Sequence, residues 1–313
     1  MQFIVYGYGA MGSAMAHHLH QTNHPVIVKP SPYDSLDNIP QGFFHHKGDF
    51  SNAIHIIAAN RSGLDWAIRA VNEYSLQPKL RLLILTKGLL VKDKKLLTVG
   101  QYLLERVQVR DLFAICGPCI ANELLQGEPT SVVLSGTSPP AVNDLAREIA
   151  SSNYRVHASS DMTGCEWSAA LKNIYAILIM ASSAFTFNTQ ENFNAALYHA
   201  IHHELASILR AMGGTESTAF SLAGLGDIWV TCRKGRNGQF GHQWGGSTLT
   251  PEQIKRGLFN QTTVEGYQLA TSIAQVWQSD VRYSQFPIIS RTIHGLANNL
   301  SFNALYRLLK QHV

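Results

Sequence analysis

The chain is short of cysteine, short of charge and without a long apolar run. Only Cys116, Cys119, Cys165 and Cys232 occur among 313 residues, too few for a disulfide framework and spaced in no zinc pattern. Charged residues make up 15% of the chain and the net charge is +4. No lysine–arginine stripe appears, so a nucleic-acid partner is not expected, while a mildly basic chain suits an anionic small molecule. The longest apolar run, Ile174 to Phe185, is interrupted by Ser182 and Ser183 and is too short to span a bilayer. Met1 leads straight into strand-like Gln2–Tyr6, leaving no room for a signal peptide. The expectation is a soluble, cytoplasmic protein without a membrane span. Repeats and low-complexity segments are absent too. What is present is a globular composition, 45% hydrophobic, in a chain long enough for two domains.

The first informative stretch is Gly7-Tyr8-Gly9-Ala10-Met11-Gly12, set between the apolar strand Gln2–Tyr6 and helix-forming residues Ser13 to His20. Strand, glycine turn and helix together make the dinucleotide fingerprint. Gly7 allows the tight turn, Gly9 lets a pyrophosphate approach the backbone, and Gly12 lets the helix pack on the strand. The pyrophosphate is then expected at the helix N-terminus, where free N–H groups favour an anion. A second strand, His24–Lys29, ends without the acid of an NAD-selective site. Lys29 and Ser31 suit a 2′-phosphate and favour NADP(H), with NAD(H) the alternative if Asp34 reaches the ribose.

Further strands at Ala53–Ala59, Leu80–Leu85, Leu112–Ile115, Thr130–Ser135 and Tyr154–His157 alternate with helices near 62–74, 116–125 and 140–151. Such alternation predicts a mostly parallel, doubly wound sheet of Rossmann type over residues 1–159. Ligands of these sheets gather at the carboxyl ends of the strands, where Lys87 and Gly117 fall. From residue 160 to 313 the periodicity is helical, so the fold class is α/β followed by an all-α domain. Met162 to Phe185 reads as one long apolar helix with Lys172 and Asn173 embedded in it. A lysine there either snorkels to water or lines a site; spacing does not choose between them. Asn192–Met212 is a second helix, and shorter ones follow near 251–257, 265–278, 287–297 and 303–311.

Ser221 to Gly241 mixes apolar residues with one acid, Asp227, and then a basic segment carrying Arg236-Asn237. Local pattern alone gives a helix, a turn and a solvated basic loop; the Arg–Asn pair also offers donors suited to a phosphate. Fourteen histidines invite a metal, and His199 and His203 have i, i+4 spacing, but no third ligand follows and no metal is expected. Cys116-Gly117-Pro118-Cys119 spells a thioredoxin-type motif. Ile115 ahead of it and the larger surrounding unit argue against a dedicated disulfide oxidoreductase. A two-residue gap at a helix N-terminus would lower a thiol pKa, which makes a redox switch at Cys116 and Cys119 a smaller expectation.

Seven segments in order resemble the NAD(P)-dependent glycerol-3-phosphate dehydrogenases of the bacterial type. They are Gly7–Gly12, Thr86-Lys87-Gly88-Leu89, Gly117–Ala121 with Glu123, Ala170-Leu171-Lys172-Asn173, Leu222–Asp227 with Thr231 and Cys232, Arg236-Asn237 with Phe240-Gly241, and Val264-Glu265-Gly266. The resemblance implies that Lys172 is the proton acceptor and donor, with Asp227 and Asn173 beside it. It implies that Lys87 contacts substrate and cofactor, that Gly117, Cys119 and Thr231 line the substrate site, and that Arg236 and Asn237 hold a phosphate. Ala10, Met11, Ala121, Arg236 and Glu265 match cofactor-contacting positions. The implied reaction reduces dihydroxyacetone phosphate to sn-glycerol 3-phosphate with NAD(P)H, supplying phospholipid synthesis. A small phosphorylated substrate is the implied partner, and a homodimer stays open. In this chemistry desolvation and the cation Lys87 lower the Lys172 pKa, whereas Asp227 opposes that shift and orients the ammonium.

The chain also departs from the family pattern. Cys119 replaces a hydroxyl residue, Gly235 a serine, Gly238 an arginine, Ala58-Ala59-Asn60 a Val-Pro-Ser loop, and His199-Ala200-Ile201 a Thr-Arg-Gly run. Losses around the phosphate leave two alternatives. One is a related dehydrogenase of the 6-phosphogluconate dehydrogenase-like superfamily with another hydroxy- or keto-acid substrate. The other is a catalytically idle NADP(H)-binding protein.

Overall fold

The computed structural model describes residues 1–43, 52–74, 79–185 and 191–313. Two compact units emerge: Met1–Gly88 with Thr98–Glu166, and Leu89–Leu97 with Trp167–Val313.

The first unit opens with β1 (Phe3–Tyr6), whose four side chains are all fully buried, as expected of a strand covered on both faces. Then come α1 (Ala10–Gln21), β2 (Val26–Lys29), β3 (Ile54–Ile57), α2 (Leu64–Tyr74) and β4 (Leu80–Ile84). A hairpin, β5 (Leu89–Lys92) and β6 (Lys95–Thr98), interrupts this alternation before α3 (Val99–Leu104), β7 (Val109–Cys116), α4 (Ala121–Leu125), β8 (Thr130–Gly136), α5 (Pro139–Ile149) and β9 (Tyr154–Ser159). Seven strands form one sheet in the order β2-β1-β3-β4-β7-β8-β9. All neighbouring pairs are parallel except β7 with β8. The strand order reverses around β1, between β2 and β3, so the crevice for a ligand lies at the carboxyl ends of β1 and β3. Buried His55 on β3 bonds the Tyr6 hydroxyl through Nδ1 at 2.9 Å, and burial pushes it down to about 4. It is a neutral core residue.

The hairpin has no counterpart in the sequence reading. Its two-residue turn puts Asp93 and Lys94 at φ 49° and 58°, the double left-handed conformation that hairpin turns favour and that Asn-Gly usually marks. Leu89 and Leu96 belong to the core of the helical unit, so this unit takes in a piece of chain from within the first half.

The remaining helices are α6 (Met162–Ala184), α7 (Glu191–Ala211), α8 (Asp227–Lys234), α9 (Arg236–Gly245), α10 (Pro251–Leu258), α11 (Glu265–Ser279), α12 (Val281–Ser284), α13 (Pro287–Ala297) and α14 (Phe302–Leu309). Helix α6 is apolar nearly all round from Trp167 to Ala181, the pattern of a central buried helix. Leu222–Gly226 winds as one π-helical turn directly ahead of α8. The basic loop expected after Asp227 is instead the first turn of α9, because Gly235 in extended conformation serves as its N-cap.

Helix α13 is capped from a distance. Pro287 opens it and its N-cap Phe286 offers no side-chain acceptor. Glu204, from α7, accepts the N–H groups of Ile288 (2.7 Å) and Ile289 (2.8 Å) and the Tyr175 hydroxyl (3.0 Å). Burial pushes its carboxyl up to about 7 against the pull of those three bonds. The folded chain therefore retains a proton that the unfolded chain releases near 4.5. The stability tied to that proton is complete below 4.5 and is lost as pH rises through 7. The gap corresponds to about 3 kcal/mol at most. Melting curves from pH 5 to 8 are expected to show a falling Tm, with a shallower slope in Glu204→Gln.

Candidate active site

At the end of β1, Gly7 has φ +96°, a conformation other residues adopt only under strain. A Cβ on Gly12 would lie 2.1 Å from the Gly7 carbonyl oxygen, whereas a Cβ on Gly9 would meet nothing within 4 Å. Gly12 is thus fixed by packing, and Gly9 keeps open the space beside the uncapped N-terminus of α1, whose N-cap it is. Ala10 and Met11 open that helix, whose first N–H groups lack intrahelical partners and suit an anion. These residues fit a dinucleotide pyrophosphate.

Lys29 ends β2 in register with Tyr6. Beyond it, the Asp34 carboxylate accepts the N–H groups of Tyr8 (2.8 Å) and Ser31 (2.6 Å) through Oδ2. The acid read as an alternative ribose ligand is therefore anchored to the glycine loop itself. At the neighbouring strand ends, Lys87 Nζ donates to the Gly117 carbonyl at 3.3 Å, with Gly117 at φ +105°.

The cysteine motif does not open a helix. Cys116 ends β7, Cys119 lies in the following loop, and α4 starts only at Ala121 with five residues. The Cys116 thiol meets that of Cys165, and this contact together with burial raises it well above the usual range. The Cys116 thiol thus lacks the lowered pKa expected of a switch, and Cys119 packs at the edge of the sheet core. Among the histidines, the His199 and His203 rings lie tilted against each other at 46° with centroids 4.2 Å apart; among the described residues no group of three ligand-type side chains could hold a metal.

In the helical unit the expected residues come together. Lys172 Nζ on α6 donates to Asp227 Oδ1, the first residue of α8. Both are buried, with relative exposures of 8% and 1%. This decides the question left open by spacing: Lys172 does not snorkel. Burying such a pair is tolerable only with a close partner. Next to Lys172, Asn173 Oδ1 accepts from Asn237 Nδ2 at 3.0 Å, while Asn237 Oδ1 accepts the Gly266 N–H at 2.8 Å. Asn237 thus ties α6, α9 and α11 together. Thr231 turns its hydroxyl back to the Asp227 carbonyl at 2.6 Å. Arg236 Nη2 donates to Glu265 Oε1 at 2.5 Å.

Comparisons with known proteins place the chain in a family. Residues 52–142 match the model for the NAD-dependent glycerol-3-phosphate dehydrogenase N-terminus, and residues 161–307 match that for its C-terminus. The chain belongs to the NAD-dependent glycerol-3-phosphate dehydrogenase family. It is 27% identical over 293 residues to an NADP(+)-dependent glycerol-3-phosphate dehydrogenase of Archaeoglobus fulgidus, covering 85% of this chain and 87% of that protein. With a glycerol-3-phosphate dehydrogenase [NAD(P)+] of Chlamydia trachomatis serovar L2 it shares 34% over 198 residues, 62% of this chain and 58% of the other. A glycerol-3-phosphate dehydrogenase crystal structure from Coxiella burnetii superposes with TM-score 0.82 at 22% identity, covering 99% of this chain and 98% of that one. At that identity the likeness is one of fold.

Within this family frame, Gly238 has a reason of its own. A Cβ there would lie 2.0 Å from the Cys232 carbonyl oxygen. Gly241 and Gly245, on the same stripe of α9, approach the carbonyls of Ile177 and Ala181 on α6 as closely, at 2.2 and 1.8 Å from a built Cβ. The stripe lets α9 lie backbone to backbone on its neighbours, which sequence reasoning misses when it treats Gly238 only as a lost arginine. Its signal is the i, i+3, i+7 spacing of the three glycines. Restoring the family residue by Gly238→Arg is expected to destabilise the fold by about 1–3 kcal/mol. A Tm lower by several degrees in calorimetry, without a gain in substrate affinity, is the outcome that checks it.

Proposed function

We propose that this chain reduces dihydroxyacetone phosphate to sn-glycerol 3-phosphate in the cytoplasm, with Lys172 as the proton donor and acceptor. The observation that carries the reading is the buried Lys172–Asp227 pair, joined through Asn173 and Asn237 to the helix end that bears Arg236. When bound, the nicotinamide ring supplies the hydride to C2. Lys172 gives a proton from Nζ to the C2 oxygen, so the ketone becomes an alcohol; in the reverse direction it takes that proton back. Asp227 holds the ammonium in place. Asn237, with one amide hydrogen beyond that given to Asn173, and Arg236, with its guanidinium fork, receive the phosphate. Lys87, Gly117, Cys119 and Thr231 are assigned to the substrate and Ala121 and Glu265 to the cofactor on the family resemblance.

The glycine loop and the N-terminus of α1 hold the pyrophosphate. Lys29 and Ser31 support NADP(H). The Asp34 carboxylate, held on the Tyr8 and Ser31 N–H groups, keeps NAD(H) as the alternative, since an acid here suits a free ribose hydroxyl.

Lys172→Ala is expected to cut turnover by at least the ~10²–10⁴-fold usual for general acid–base catalysis, while NADPH still binds by fluorescence titration; normal turnover would refute the assignment. Arg236→Ala is expected to raise the KM for dihydroxyacetone phosphate strongly. An unchanged KM and kcat/KM in NADPH-coupled assays would remove Arg236 from the phosphate site.

A further inference from the structure

Arg236 and Glu265 each open a helix, α9 and α11 respectively. A cation at the first position of a helix is poorly placed, because the N-terminal end is already positive. Helix α9 has no acid in its own first turn, and neither its N-cap, Gly235, nor the N-cap of α11, Val264, supplies a side-chain acceptor. Asn237 brings the two starts together by accepting the Gly266 N–H. A Cβ on Gly266 would lie 2.4 Å from the Asn173 carbonyl oxygen, so α11 begins hard against α6. Two positive helix ends and a guanidinium therefore converge, and the Glu265 carboxylate faces them through its 2.5 Å contact with Arg236.

We infer that Glu265 is a resident counter-ion for Arg236, displaced when the substrate phosphate arrives, and that it thereby sets how tightly the substrate is held. The inference rests on the phosphate-binding role of Arg236 proposed above. The Arg236–Glu265 pair engages Nη2, one corner of a fork with five donors, whereas a phosphate presents oxygens that match the fork two at a time. The two side chains are 48% and 45% exposed, so their attraction is small and yields readily. It is nevertheless lost at every binding event, because a phosphate dianion and a carboxylate on the same guanidinium repel each other. Glu265 thus acts as a positioning residue that keeps Arg236 folded over the helix ends and lowers substrate affinity.

Glu265→Gln keeps the size and the hydrogen-bond acceptor and removes the charge. On the full-length chain, isothermal titration with inorganic phosphate is expected to give binding roughly three- to five-fold tighter than in the parent. At saturating NADPH, which removes any change in cofactor affinity at Glu265, the KM for dihydroxyacetone phosphate is expected to fall by the same factor. Unchanged or weaker phosphate binding in Glu265→Gln overturns the inference, as does parent-chain binding that survives Arg236→Ala undiminished. The calorimetric arm needs no turnover. Phosphate binding that is lost in Arg236→Ala and tightened in Glu265→Gln, with dihydroxyacetone phosphate not reduced, would refute the proposed activity and leave the counter-ion standing. Normal turnover with unchanged phosphate affinity in Glu265→Gln would refute the counter-ion alone.

Discussion

The structure of the helical unit depends on one buried ion pair, Lys172 with Asp227. Two charges taken out of water are costly, and removing one partner leaves the other uncompensated, typically by about 3–5 kcal/mol. The pair therefore dictates what surrounds it. Helix α6 must bring a lysine into an apolar interior, α8 must begin at Asp227, and the π-helical turn Leu222–Gly226 must deliver that start in place. Gly224 in that turn is fixed by the same need for closeness, since a Cβ there would lie 2.2 Å from the Ala219 carbonyl oxygen. Chemistry and packing ask for the same geometry at this point.

Around the pair, positions are secured by polar contacts made at helix starts. Asn237 serves α9, α11 and α6 at once, Glu204 caps α13 from α7, and in the first unit Glu166 plays a similar part. The Glu166 carboxylate accepts the Thr98 hydroxyl at 2.8 Å and the Gly100 N–H at 2.7 Å, and burial pushes it up to about 7. Several helices of this protein are thus locked by side chains reaching in from elsewhere in the sequence. Asn237 in this way gives Asn173, the neighbour of Lys172, a partner held in turn by the start of α11.

Much of this was legible in the sequence, for reasons that are local. The glycine loop sits between an apolar strand and a helix, and the apolar length of α6 leaves no other reading for residues 162–184. What escaped needed a tertiary partner. Glu204 follows two histidines, and no local pattern marks it as a cap until the backbone of α13 is set against it. Arg236 reads as part of a loop because Gly235 resembles a turn residue, although it is an N-cap. The β5–β6 hairpin lacks Asn-Gly, and its charged turn disguises two short strands. Gly238 looks like a deletion of function and is a demand of packing.

The hairpin has a consequence for how such a chain can be divided. The backbone passes between the two compact units three times, at Gly88–Leu89, Leu97–Thr98 and Glu166–Trp167. No single cut yields two intact pieces. A fragment beginning near residue 160 would lack Leu89 and Leu96 from its core, and the complementary fragment would carry two leucines with nothing to pack against. The chain contributes to the helical unit from two separate stretches, Leu89–Leu97 and Trp167–Val313, so a single junction does not separate the two units.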